Sequence, residues 1–93
     1  TIITAVERAQ ARCPRKDARH LIIHCQMATD EHVRRMKEAG ILPSFYGLHV
    51  WNWGDRHRDI FLGPDRAARL DPAGSAVREG LSRSTPTRRC CRR

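Results

Sequence analysis

The residue best placed to do chemistry is His24, at the polar end of the apolar run Leu21-Ile22-Ile23-His24-Cys25. An imidazole there suits a divalent metal, provided its second ring nitrogen finds a partner. The competing reading is a packed histidine satisfied by a backbone carbonyl, and position alone favours that one. A second group is denser: His49, Trp53, Asp55, Arg56 and His57. Aromatic walls with a few fixed polar groups are what a small-molecule pocket uses. Equally, Asp55, Arg56 and Arg58 would make a surface charge cluster with Trp51 and Trp53 as anchors, and composition alone does not separate the two. Other chemistries are disfavoured. Cys25 follows His24, but neighbours on a strand point to opposite faces, so they cannot form a nucleophile and base. Ser44 lacks the G-x-S-x-G context of a serine hydrolase. His20, before the strand, and His32, on a solvent-facing helix, read as ordinary.

The elements that must position these residues follow from periodicity. Ile2, Val6, Ala9 and Cys13 form one apolar stripe, which predicts a helix over residues 1–12, ended by Pro14. Residues 21–25 are apolar on both faces, as in a buried parallel strand. Thr29 is a good N-cap, with Asp30 and Glu31 in the first turn. That helix runs to about Ala39 with Val33 and Met36 inward, and Gly40 is its natural C′ residue. Residues 41–46 make a second strand, in which Pro43 belongs near the start or at a bulge. Residues 47–65 read as a long loop, the kind that is usually functional. Short helices follow over Pro64–Arg69 and Pro72–Glu79, the second capped by Asp71 with Pro at its first position. Helix, strand, helix, strand is the rhythm of a parallel sheet and an α/β fold.

Composition narrows the classes. The chain has 93 residues, whereas a complete (β/α)8 barrel needs roughly 250. The net charge of +8 suggests a nucleic-acid partner. Five arginines, however, lie in residues 82–93 without an acid, and residues 1–81 carry only +3. The bland reading is a solvated tail; the rival is a small basic nucleic-acid-binding module that uses it. The four cysteines have no C-x2-C spacing, so a zinc finger is a weak reading. With no membrane-spanning run and no secretory signal pattern, the expected setting is cytoplasmic.

Particular stretches then become specific. His20-Leu21-Ile22-Ile23-His24-Cys25-Gln26, the Thr29-capped helix ending Lys37-Glu38-Ala39-Gly40, and Ile41-Leu42-Pro43-Ser44-Phe45 resemble the sixth and seventh units of amidohydrolase family 3. His49, then Trp53-Gly54-Asp55-Arg56-His57 and Leu62 to Arg69, is similar to that family's long loop. The resemblance covers about residues 1–80. It implies a fragment of a (β/α)8 TIM-like barrel, about strands six and seven with flanking helices. The intact parent would be a metal-dependent hydrolase of carbon–nitrogen bonds other than peptide bonds, acting on a small amide-type substrate. By the same resemblance His24 matches the sixth-strand ligand of a divalent metal, zinc by expectation, which activates a water nucleophile. His49, Trp53, Asp55 and Arg56 would lie at the substrate pocket. Ile23 departs from the pattern, because the family has Glu just before this histidine.

The resemblance also says what should follow residue 80: an apolar eighth strand carrying a catalytic Asp. Residues 81–93 instead form an Arg-rich tail, expected to be disordered. A shifted reading frame offers a reason. Codons begun at the third base of each codon from Ser84 onward permit His-Ser-Asp-Ala-Pro-Val-Leu-Pro, the expected motif in register. The tail is therefore read as a frameshift product, genuine or a sequencing error. The chain is expected to comprise a partial barrel domain over 1–80 and this tail, and to hydrolyse nothing alone.

Overall fold

The described residues hold eight elements. The computed structural model describes residues 1–81. In chain order these are α1 (Ile2–Arg12), β1 (His20–His24), α2 (Asp30–Glu38), β2 (Ile41–Phe45), α3 (Leu48–Arg56), α4 (His57–Phe61, a π-helical turn), α5 (Pro64–Ala67) and α6 (Ala73–Arg78). β1 and β2 pair in parallel, with His20 opposite Ile41 and His24 opposite Phe45. The expected order of helix, strand, helix and strand holds, with parallel pairing. The expectations for the tail concern residues 82–93, which lie outside the described ones.

The core forms where α2 lies on β2. Val33 and Met36 of α2 and Ile41 of β2 are fully buried, joined by Phe45, Ile3, Ala28 and Ala76. Alternation along β2 sends Ile41, Pro43 and Phe45 inward. Pro43 sits mid-strand opposite Ile22, fully buried, rather than at a strand start. α2 begins as its sequence requires: the Thr29 hydroxyl accepts from the His32 amide, and His32 Nδ1 accepts from the Thr29 amide, a closed capping box. His32 is therefore half-buried and structural, not an ordinary solvent-facing residue. Gly40 ends the helix at φ 68°, a conformation costly for other residues.

Three further expectations are corrected. α1 buries Ile3 and half-buries Val6, while Ile2, Ala9 and Cys13 are exposed, so its inward face is turned by one residue. The Arg35 side chain of α2 meets α1 in this orientation. It donates to both Glu7 oxygens at 3.0 and 2.7 Å and to Thr4 Oγ1 at 3.0 Å. β1 is not a buried strand: Leu21 is 55% and Ile23 68% exposed, because no described element covers that face of the sheet. Residues 47–65 are not a loop but are mostly helical, in α3, α4 and the start of α5. Among the described residues, no helix is long and apolar enough to cross a membrane.

The clamp between α1 and α2 is sensitive to acid. Hydrogen bonding to Arg35 is the main cause holding the Glu7 carboxyl below its ordinary pKa. A carboxylate shifted down stabilises the fold fully above its unfolded value, and that contribution is lost as pH falls through the lowered one. Amide protection factors in α1, measured relative to the intrinsic exchange rate at each pH, should therefore fall on acidification more in the native chain than in Glu7→Gln, which starts without the clamp. Equal pH dependence in the two would show that the pair does not hold α1.

Candidate functional site at the carboxyl ends of the strands

β1 and β2 both end at the same side of the sheet, and the segments leaving them bring the imidazoles together. His24 closes β1 with φ 69°, and Cys25 follows with φ 42°. Two successive side-chain-bearing residues in the left-handed region are costly, and such strain gathers at functional sites. His24 thus leaves the sheet's alternation and stands exposed at the strand end. Its ring lies 4.8 Å from that of His49 and 5.9 Å from that of Tyr46, centroid to centroid. Tyr46 and His49 meet edge to face at 5.0 Å, completing the trio. His49 enters because α3 starts two residues after Tyr46, which puts it on the first turn of that helix.

A second imidazole approaches from α4. The π-helical turn closes with the Leu62 amide donating to the His57 carbonyl, a geometry frequent at functional sites. His57 Nε2 lies 3.4 Å from the Gln26 side-chain nitrogen. Gln26 also ties in Asp71, whose amide donates to the Gln26 carbonyl at 2.9 Å. Asp71 has φ 49° and does not cap the following helix, contrary to expectation. α6 starts at Ala73 without a side-chain cap. The Asp71 carboxyl is within electrostatic reach of the histidines. Burial pushes its carboxyl pKa up, against the opposing pull of His49, the Tyr46 amide, His24 and His57.

The expected ligand His24 and the α3 residue His49 are thus brought together, with His57 and Asp71 in the same electrostatic neighbourhood. Trp53, Asp55 and Arg56 are placed differently. They lie on the exposed side of α3, where Arg56 sits over the Trp53 ring at 5.3 Å and Asp55 pairs with Arg58 at 3.3 Å. Asp55 and Trp51 line an open groove against Pro64 and Ala67, while Trp53 and Arg56 do not. Cys25 turns inward, its thiol 3.7 Å from the Met36 sulfur, and burial pushes its pKa up to about 11, with Asp71 adding to the shift. A thiol so poorly ionised is no nucleophile.

Metal chemistry needs several donors within one coordination sphere. Among the described residues, no three His, Cys, Asp or Glu side chains form a group able to hold a metal ion. His24, His49, His57 and Asp71 share a neighbourhood without sharing a coordination sphere. Missed from sequence were Asp71, Gln26, Tyr46 and the role of His57. The only local signal was an Asp before Pro72, which reads as a helix cap. No family model matches the chain, and no curated protein or solved structure matches it.

Proposed function

We propose that this chain is the sixth and seventh units of a metal-dependent amidohydrolase barrel, and that His24 serves as one metal ligand in the intact enzyme. The observation that carries the reading is the position of His24. It sits at the carboxyl end of a parallel strand joined through a helix to its neighbour, the end at which barrels of this kind place catalytic groups. The exposed Leu21 and Ile23 supply further support, since they lie on the sheet face that a barrel would cover. The described residues do not by themselves make a metal site. The other ligands, and the Asp that would take a proton from the nucleophilic water, belong to other strands of the parent. The substrate class is a small molecule with an amide-type carbon–nitrogen bond, and the setting is the cytoplasm, in keeping with the free thiols of Cys13 and Cys25.

The test is the encoding DNA. Resequencing around Gly80 should yield a single-base change that restores an apolar strand with an Asp, and the reading frame upstream of Thr1 should contain His-x-His. If no single-base change restores that strand and the upstream frame lacks the pair, the reading fails. Metal-dependent amide hydrolysis by the purified 93-residue chain would also contradict it, because one imidazole cannot fix a coordination geometry.

A further inference from the structure

Among the described residues the two-stranded sheet has a free edge on each side, and the two edges differ. β2 carries Pro43 at its centre, which has no backbone N–H to offer a further strand. Proline is one of the devices that protect an edge from pairing. β1 has no such protection. Its sequence, His-Leu-Ile-Ile-His, contains no proline, glycine, lysine, arginine or acid. Its aliphatic side chains are open as well, with Leu21 55% and Ile23 68% exposed. An uncharged, apolar edge of this kind is a template for another strand.

The strand is complementary to itself. Two identical strands related by a two-fold axis through the sheet run antiparallel, and if residue i meets j then j meets i. With Ile22 at the axis, Ile22 meets Ile22, and Leu21 meets Ile23 in both directions. Every central pair is then aliphatic. Ile22 packs on the core cluster, so alternation puts Leu21 and Ile23 on the other, uncovered face. There the pairing gathers Leu21 and Ile23 of both copies into one patch. Charge favours the same place. The chain carries +8, which repels a second copy in general, whereas residues 20–24 hold no lysine, arginine or acid. His24, whose backbone leaves the extended region at φ 69°, ends the strand, so residues 21–23 carry the pairing.

We infer that β1 is a self-association edge: two copies of this chain join antiparallel through residues 21–23, in the strand order β2-β1-β1-β2. One strand edge covers less than the roughly 800 Å² per partner of a standard interface, so the dimer is weak and depends on concentration. The inference does not use the proposed function. The dimer belongs to the 93-residue chain as it stands, and its presence or absence leaves the chemistry of a parent enzyme untouched.

The experiment is sedimentation equilibrium of the full chain with its thiols reduced, from about 10 µM to about 1 mM, the range of weak complexes. The mass should rise with concentration from one chain toward two and no further. Leu21 and Ile23 are exposed, so replacing them removes no core packing. Leu21→Lys with Ile23→Lys sets like charges opposite each other at both positions, and should stay at one copy. Leu21→Glu with Ile23→Glu does the same while lowering the net charge, which separates pairing from overall repulsion; it too should stay at one copy. Leu21→Lys with Ile23→Glu sets opposite charges together in this register and should associate at least tenfold more tightly than either. A native chain that remains at one copy throughout overturns the inference, whether its edge is open or taken by its own residues 82–93. So does growth beyond two copies, or a like-charged variant that associates as well as the oppositely charged one.

Discussion

Met36→Ala should remove most of the stability of this chain. Met36 is fully buried between α2 and β2 and touches the Cys25 sulfur at 3.7 Å. Truncating a buried Met to Ala typically costs about 2–5 kcal/mol, part in lost transfer energy and part in the cavity left behind. The total is small: at roughly 0.05–0.15 kcal/mol per residue, a folded unit of this size holds on the order of 4–12 kcal/mol. A two-stranded sheet with one uncovered face points to the lower end of that range. Urea titration followed by circular dichroism should therefore show Met36→Ala largely unfolded or with a much lower midpoint. Met27→Ala is the control, because Met27 is 55% exposed and should leave the midpoint nearly unchanged. Equal midpoints for Met36→Ala and the native chain would mean that the α2–β2 contact is not the core.

That core was legible in the sequence because its elements each bury one face. Val33 and Met36 are spaced for a helix, Ile41, Pro43 and Phe45 alternate for a strand, and Thr29 and Gly40 punctuate the helix between. α3 was not legible for the converse reason. It buries no residue and has no side-chain cap to mark its start, and Trp51, Trp53 and Gly54 read as loop. The face of α1 that buries Ile3 rather than Ile2 is met by contacts distant in sequence, the core cluster and the Arg35–Glu7 pair, which no local stripe records. His24 could be singled out because a polar ring at the end of an apolar run is a local signal. Asp71 could not. It stands before Pro72 as a capping residue would, and only the fold brings its carboxyl within electrostatic reach of histidines that precede it by 14 to 47 positions.

In the proposed intact, in-frame amidohydrolase, His24→Ala should lower metal content and catalysis together. The expectation rests on the strained backbone of His24, the last residue of β1, and on its place beside His49. With few ligands in such a site, losing one nitrogen removes both affinity and the geometry that activates water. A fall in turnover of at least tenfold, with metal loss measured on the same preparation, is the expected result; tenfold corresponds to about 1.4 kcal/mol. His32→Ala supplies the contrast. His32 closes the capping box of α2, so its loss should cost about 1 kcal/mol of stability while metal per folded molecule stays constant. Comparing metal content, turnover and melting for both variants separates a ligand from a structural histidine. If His24→Ala retains full metal and full turnover, its imidazole serves only to pack against Tyr46 and His49, and the site must be centred elsewhere.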